Sequence, residues 1–454
     1  MLGADRVETI RAAHALSEHR AERPARAPAP QDWSTCVPPL HFPGAELLPA
    51  TARHRNISVA DTLAGRCPQA PIDIGTIALR TLGVTVERRR GSSRWFCHAN
   101  PSSGNLHPTE LYVLDGRDVL HFAAREGAFA RIGRLEDEAP TTFVLTQIAE
   151  RQCWKYGDRG VRYAELDLGH AVAGLRLAAA SHGHELRPID GLFLRDVLGL
   201  DGREGETIGA AFTTGALDAI TVEHLLPASK LRGFDWPGAR STARAIERAP
   251  FTTSRGHAPS VRIDGDFDAV VTARRSAAAF ADAPISRDTF DRLLESTLGG
   301  SAFLGAASVD LLLFVHRVEG LTPGAYLFRR SDADHSNAFD PDFGYTPVGP
   351  RLYRLDEDDV RAHARAVHVD QAVASDGAFC LTMLAPLDET LATEGAGAYR
   401  RLHLEAGAIG HVLYLGATAL GLGATGIGAF YDVALKQMLG TELTPLYGFA
   451  VGAT

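Results

Sequence analysis

The stretch that decides the fold is "LDLGHAVAGLRLAAASHG", residues 166–183. Apolar and small side chains occupy nearly every position, which is typical of a helix that is buried on all sides. A second stretch, "EAGAIGHVLYLGATALGLG" at residues 405–423, has the same character. The sequence therefore predicts two long buried helices, one in each half of the chain.

The two stretches match each other in register. Positions that recur after 238 residues are Gly169, Leu175, Leu177 and Gly183, which match Gly407, Leu413, Leu415 and Gly421. The segments that follow, "GLFLRDVLG" and "GAFYDVALKQMLG", also share a phenylalanine and a Leu-Gly pair. This spacing indicates an internal duplication of about 200 residues. Two like domains in one chain are typical of a fused symmetric dimer.

Length and local patterns predict the domain organisation. A chain of 454 residues is too long for one hydrophobic core. We predict an N-terminal extension at residues 1–56, a first domain at 57–227, a linker at 228–267 and a second domain at 268–454. In the second domain, "ISRDTFDRLLESTL" predicts a helix capped by Ser286, and "SVDLLLFVHRV" predicts a strand.

Composition excludes several classes of partner. The net charge is −9 and basic clusters such as "VERRR" are short, so nucleic acid is not expected. No apolar run reaches the roughly 18–20 residues that span a bilayer, and the N-terminus lacks a secretory apolar region. The 5 cysteines form no CxxC pair, so we expect reduced thiols in a cytoplasmic protein. His98 and His107 have no partner at ligand spacing, which favours structural histidines and no metal site.

Two segments of the second half are candidates for binding. "TARRSAAAF" places Arg274, Arg275 and Ser276 at a predicted helix opening, which suits a phosphate or is a solvated helix start with a capping serine. "GLGATGIGAF", from Gly421, is predicted as a glycine-rich turn. It lets a backbone approach a flat ligand, or it only ends the preceding helix.

Two segments of the first half are also candidates. "NPSSGNLHPTELYVL", residues 100–114, is a dense polar loop that leads into a strand. "CWKYGDRGVRY" places Lys155 beside Tyr156. Such a pair can move protons if burial shifts the two pKa values, although most adjacent pairs of this kind are surface residues.

As a set, these motifs resemble the FMN-dependent nitroreductase superfamily, and more closely its tandem-domain SagB/ThcOx-type dehydrogenase branch, which includes azoline dehydrogenases of peptide natural-product biosynthesis. The resemblance covers about residues 57–225 and 268–452. It implies an α+β fold of two tandem nitroreductase-like domains, each a mixed or antiparallel sheet flanked by helices, that together form an intramolecular pseudo-dimer.

The resemblance also implies a site for FMN and a catalytic pair. The implied cofactor-binding residues are Arg274, Arg275, Ser276, Gly426, Ile427 and Gly428 in the second half, and Pro101, Ser102, Ser103 and Asn105 in the first. Lys155 and Tyr156 match the catalytic pair of the dehydrogenase branch. Each half lacks the other half's motif, which predicts one composite FMN site per chain and a second site that has decayed.

The implied function is hydride transfer between flavin N5 and a small-molecule or peptide-derived substrate. One alternative is an NAD(P)H-dependent reductase of nitro or quinone compounds, and another is a non-catalytic flavin-binding partner in a biosynthetic complex. Ala278 stands where many nitroreductases have a basic residue near the flavin, which implies a different redox poise. A further homodimer of the fused chain stays open.

Overall fold

The structure, a computed structural model, describes residues 3–28, 32–91, 93–202, 205–217, 220–229, 234–247, 263–304, 307–330 and 344–454. Part of the predicted linker, at 230–233 and 248–262, therefore lies outside the described residues. No helix of the described residues is long and apolar enough to cross a membrane.

The α-helices alternate with strands along the chain. The helices are α1 (Gly3–Ser17), α2 (Val59–Ala64), α3 (Ile74–Thr81), α4 (Glu150–Tyr156), α5 (Gly160–Ala180), α6 (Leu194–Val197), α7 (Ala239–Glu247), α8 (Phe267–Ala273), α9 (Arg287–Leu304), α10 (Arg361–Val367), α11 (Ala372–Asp376), α12 (Leu387–Glu394), α13 (Gly397–Ala419) and α14 (Asp432–Leu439). Side-chain caps begin several of them: Ser58 accepts from the backbone of Asp61, and Ser286 accepts from the backbone of Thr289, as predicted.

The strands form two larger sheets and one hairpin. The strands are β1 (Glu46–Pro49), β2 (Val84–Arg90), β3 (Ser93–His98), β4 (Thr109–Ala123), β5 (Ala128–Ile148), β6 (Arg187–Ile189), β7 (Glu206–Thr213), β8 (Val222–Leu225), β9 (Asp310–Val315), β10 (Gly324–Phe328), β11 (Thr346–Gly349), β12 (Leu352–Asp356), β13 (Phe379–Ala385), β14 (Gly423–Ile427) and β15 (Thr444–Gly452). Strands β2 and β3 pair only with each other among the described residues.

Contacts divide the chain into two compact units. Unit 1 comprises residues 1–17, 26–57 and 65–252, and unit 2 comprises residues 18–25, 58–64 and 253–454. Unit 1 includes α7, which lies within the stretch predicted as a linker. Unit 2 includes two short segments from the N-terminal part of the chain.

The sheets of the two units repeat one topology. Unit 1 contains the antiparallel path β4-β5-β7-β6, and unit 2 contains the antiparallel path β9-β13-β15-β14. In both, the long helix leads directly into the last strand of the path. The α+β fold predicted from the sequence is confirmed, and the repeated path agrees with an internal duplication.

The long helices end in the same way. In α5 the amides of Gly183 and His184 donate to the carbonyls of Ala180 and Ala179, and Gly183 has a φ of 74°. In α13 the amides of Gly421 and Leu422 donate to the carbonyls of Thr418 and Ala417, and Gly421 has a φ of 71°. Both are Schellman C-caps, in which glycine adopts the left-handed conformation at no steric cost. The equivalent atoms lie 238 residues apart.

The prediction that Arg274 and Ser276 open a helix is wrong. Helix α8 begins at the N-cap Asp266 and ends at Ala273, where Arg274 adopts an extended backbone. Ser276 pairs with Ala424 in an isolated parallel bridge, and the amide of Ala277 donates to the carbonyl of Ala424 over 2.8 Å. Pairing with the sheet thus overrides the helical preference of this alanine-rich stretch. No helix N-terminus is available here to attract an anion.

The glycine-rich "turn" is also corrected. Gly421 caps α13, but residues from Gly423 form the edge strand β14, which pairs antiparallel with β15. A Cβ at Gly426 would collide with the hydroxyl of Tyr447, which explains a glycine at this position. This strand contains only one threonine and one isoleucine as β-branched residues, so its sequence pattern does not indicate a strand.

A buried ion pair ties α13 to the strands of unit 2. Glu405 and Arg330 lie 2.7 Å apart, with side-chain exposures of 3% and 0%. Arg330 also donates to the carbonyls of Thr297 and Val309. The charges are therefore compensated, and removal of one leaves the other buried without its counter-charge.

Replacement of Glu405 by alanine is expected to lower the free energy of unfolding by about 3–5 kcal/mol, because Arg330 would remain buried. Urea unfolding measures the loss. Asp288→Ala is the control, since its pair with Arg292 is 66% exposed on the aspartate side and contributes about 0.5 kcal/mol or less. Equal losses in the two variants would contradict the assigned role.

Candidate active site

A buried aspartate holds the serine loop, residues 100–107, in unit 1. Ser102 Oγ donates to Asp167 Oδ2 over 2.7 Å, and the Ser103 amide and hydroxyl donate to Asp167 Oδ1 over 3.0 and 3.2 Å. Gln152 Nε2 donates to Asp167 Oδ2 over 2.7 Å. Both serine hydroxyls therefore donate their protons to Asp167 and offer no free proton to a ligand.

Asp167 lies on α5 and is only 2% exposed. Burial raises the pKa of its carboxyl to about 7, although the hydrogen bonds from Ser102, Ser103 and Gln152 oppose this shift. The hydrogen-bond partners described for Asp167 are all neutral. Its charge is thus stabilised by donors alone, which makes the loop geometry important for it.

The tip of the serine loop contacts the lysine-tyrosine pair. A Cβ placed on Gly104 would lie 2.6 Å from Tyr156 Oη and 3.1 Å from Lys155 Nζ. Gly104 also has a φ of 63°, which L side chains rarely adopt. The structure therefore brings together two motifs that are about 50 residues apart in the sequence, and only glycine fits between them.

Lys155 and Tyr156 occupy the last turn of α4. Burial lowers the pKa of Lys155, whereas burial and the neighbouring Tyr163 and Asp167 raise the pKa of Tyr156. Lys155 Nζ lies 5.3 Å from the centre of the Tyr156 ring. Lys155 therefore loses its proton more easily than a solvated lysine, and Tyr156 keeps its proton more firmly. Together they place a base next to an acid.

The rest of the serine loop is held by local contacts. Asn105 Nδ2 donates to the carbonyl of Phe96 on β3 over 2.9 Å. His107 stacks on His98 with ring centroids 3.7 Å apart, and Arg151 donates to the carbonyl of His107 over 2.7 Å. Pro101 is buried, while Gly104 and Asn105 are exposed. The described residues contain no group of three potential ligands that could hold a metal ion.

In unit 2, Tyr414 joins the other two motifs. Its hydroxyl lies 2.9 Å from Ser276 Oγ and accepts from the amide of Gly426 over 2.8 Å. The guanidinium of Arg274 lies over the Tyr414 ring, 5.1 Å from its centre. The segment around Arg274 and the edge strand β14 therefore meet at one side chain of α13.

The electrostatics of this cluster are cationic. Arg274 is 3% exposed. The burial of His411, together with the charge of Arg274, lowers the pKa of His411 to about 3. Arg275 is half-buried and donates to the carbonyl of Thr272 over 2.8 Å. Ser276 and Ala278 are exposed, and Gly426 and Gly428 are partly exposed. Ile427 is buried in the core of the unit.

This donor set fits an anionic group. The cluster contains two guanidinium groups, an exposed hydroxyl and the partly exposed backbone of β14. These groups suit the phosphate of a nucleotide cofactor such as FMN. The positive charge that suits an anion comes from the arginine side chains and not from a helix N-terminus, because α8 ends before them.

Sequence patterns missed three residues that organise these clusters. Tyr414 lies in a helix full of apolar residues, where a tyrosine gives no separate signal. Gln152 immediately precedes "CWKY" and has none either. Asp167 could have been found, because an acidic residue inside a helix buried on all sides requires partners.

The fold of the chain is that of a nitroreductase. Its structure is similar to the crystal structure of a candidate nitroreductase from Anabaena variabilis, with a TM-score of 0.73, 18% identity, and coverage of 98% of this chain and 99% of that chain. Residues 271–453 match the family model described as the nitroreductase family. A candidate nitroreductase of Methanocaldococcus jannaschii is 23% identical over 192 residues, which are 40% of this chain and 88% of that protein. These similarities show a nitroreductase-like fold, and the family match itself covers residues 271–453.

Gly104→Ala is expected to destabilise unit 1 more than Gly127→Ala, by about 1 kcal/mol or more, because only the first adds a clash to the strain of a positive φ. Gly127 is a matched control with a φ of 59° and nothing within 4 Å of its added Cβ. Chemical unfolding of both variants measures the difference.

The same experiment locates the clash. Tyr156→Phe removes the atom nearest to the added Cβ, so it is expected to restore part of the stability of the Gly104→Ala chain. A double-mutant cycle measures this coupling. A coupling of zero, or equal losses at Gly104 and Gly127, would show that the loop does not pack on Tyr156.

Proposed function

We propose that this protein is an FMN-dependent oxidoreductase of the SagB/ThcOx dehydrogenase type. The observation that carries the proposal is the contact of the serine loop with Lys155 and Tyr156. It joins two motifs on which the resemblance rests, at a pair with oppositely shifted pKa values. The match of residues 271–453 to the nitroreductase family supports the superfamily.

In this proposal the phosphate of FMN is held by Arg274, Arg275 and Ser276, beside Gly426 and Gly428. Tyr414 keeps Ser276 and the backbone of Gly426 in place. Bound FMN supplies a hydride acceptor and donor at its N5 atom. The buried arginine beside Tyr414 gives an electrostatic preference for a dianionic group over a neutral one.

Lys155 and Tyr156 handle protons on the substrate in this proposal. The lowered pKa of Lys155 makes its neutral amine easier to form than that of a solvated lysine, so it can serve as the base, and the raised pKa of Tyr156 keeps its phenol protonated as a hydrogen-bond donor. The partly exposed position of both side chains leaves them accessible. The substrate class that follows is a small organic or heterocycle-containing molecule, including a peptide-derived one.

The second candidate is an NAD(P)H-dependent reductase of nitro or quinone compounds. The names of the similar proteins from Anabaena variabilis and Methanocaldococcus jannaschii favour it. In that reaction the open face of the flavin accepts many flat molecules. A proton-transfer pair on the substrate side therefore has a smaller role.

Lys155→Met and Tyr156→Phe are expected to lower substrate oxidation by about 10²–10⁴-fold, because general acid-base groups contribute about that much. Binding of FMN should not change in either variant. Lys436→Met on α14 of unit 2 is the matched control and should retain full activity. Stopped-flow bleaching of the flavin absorbance by amine-type or heterocycle-containing substrates measures the rates.

The same bleaching assay separates the candidates. Rapid bleaching by NADPH or NADH that survives Lys155→Met would support the reductase and overturn the dehydrogenase. Bleaching by neither nicotinamide nor organic substrate, together with bound FMN, would favour a non-catalytic flavin-binding partner.

A further inference from the structure

We propose that Asp167 is a positioning residue, whose carboxylate shapes the serine loop so that Gly104 lies against Lys155 and Tyr156. Its catalytic consequence rests on the proposed function, whereas its effect on the loop does not. Asp167 belongs to neither of the predicted catalytic or cofactor-binding sets.

Both oxygens of the Asp167 carboxylate accept at least two hydrogen bonds each. Oδ1 accepts from the amide and hydroxyl of Ser103, and Oδ2 accepts from the hydroxyl of Ser102 and the amide group of Gln152. Ser102 Oγ in turn accepts from the amide of His107 over 2.9 Å. One buried carboxylate therefore determines the direction of the chain on both sides of Gly104.

The other half of the internal duplication also has a carboxylate at this position. Glu405 lies 238 residues after Asp167, at the same register of its long helix. It accepts from the amides of Ser308 and Val309 over 3.1 and 3.2 Å, just before β9, and Asp167 accepts from the amide of Ser103 in the loop that leads to β4. Unit 2 lacks the Pro-Ser-Ser sequence but keeps the carboxylate. The shared task of this position is thus to bind the loop backbone, and the serines of unit 1 are an addition.

The two carboxylates differ in the charge of their partners. Glu405 is paired with the buried Arg330, while the described hydrogen-bond partners of Asp167 are neutral. The pKa of Asp167 is raised to about 7 by burial, which agrees with an uncompensated position. A buried carboxylate without a counter-charge lowers the stability of the fold. At this site the same carboxylate orders the serine loop.

The contact with α4 links the loop to the lysine-tyrosine pair. Gln152, which donates to Asp167 and to the carbonyl of Ser103 over 3.1 Å, lies one turn before Lys155 and Tyr156 on the same helix. Asp167 therefore holds both partners of the contact, the loop directly and α4 through Gln152. Loss of the carboxylate should release both.

Amide hydrogen exchange on the full, flavin-free chain tests the proposal. In Asp167→Ala and Asp167→Asn, peptides that cover residues 100–107 should exchange about tenfold faster or more, because the Ser103 amide loses its acceptor or half of its carboxylate partner. Asp167→Glu should restore most of the protection, since a glutamate at the equivalent position of α13 reaches two loop amides.

Glu206→Gln is the matched control. Glu206 is an equally buried carboxylate of unit 1 that accepts from Tyr112 and Thr146, two residues outside the serine loop. The Glu206→Gln variant should leave amide hydrogen exchange in residues 100–107 unchanged. Unchanged loop exchange in both the alanine and asparagine variants of Asp167 would overturn the proposal. Equal acceleration in Glu206→Gln would also overturn it, because it would indicate general loosening.

Turnover with bound FMN then tests the catalytic consequence. Asp167→Asn should lower kcat by about tenfold or more with little change in KM, and Asp167→Glu should recover it. A kcat unchanged in Asp167→Asn, with a loosened loop, would limit the aspartate to a structural role. If no variant and no wild type shows turnover, the proposed function fails, while the exchange result still decides the effect on the loop.

Discussion

The arrangement of each unit depends on a carboxylate buried in the middle of a long helix. An acidic side chain cannot remain in an apolar core without donors, and in both units the donors include a backbone amide of the loop that leads to the first strand of the path. Asp167 thereby holds the loop before β4, and Glu405 holds the residues just before β9. Helix, loop and sheet are tied together at one point, and the same constraint was kept after duplication.

The two units have diverged in what they build around this point. Unit 1 keeps neutral donors at its carboxylate and places Gly104 against Lys155 and Tyr156. Unit 2 neutralises its carboxylate with Arg330, and its chemical groups lie at the other end of the long helix, where Tyr414 meets Ser276 and Gly426. In the proposed function, unit 1 would supply the proton-transfer pair and unit 2 the phosphate site. That both sets serve one flavin remains a prediction.

The sequence allows much of the fold to be predicted, since the long helices are buried on all sides and match in register. The caps Ser58 and Ser286 were likewise predictable, because a serine before a helical pattern has a local effect. Two elements near the site were not. The stretch "TARRSAAAF" has local helical propensity, but long-range pairing of Ser276 with Ala424 overrides it. Strand β14 is rich in glycine, and its pairing with β15 also depends on distant residues.

For the candidate site, the sequence motifs identify the segments but not the contacts. The resemblance implies that the serines of the loop bind the cofactor, which stays a prediction, and the structure adds that their hydroxyls donate to Asp167. Tyr414 and Gln152 give no signal of their own, because their roles arise only when distant segments meet. Gly104 is more informative, since a glycine inside a polar loop indicates a positive φ or a close approach, and here both apply.

The central claim is that this chain is a flavoprotein with one FMN site. The absorption spectrum of the purified, FMN-saturated protein, combined with the protein concentration, tests this claim most directly. The account predicts flavin absorbance that corresponds to one FMN per chain and that is lost in Arg274→Gln. Two FMN per chain, or no bound flavin at all, would contradict it.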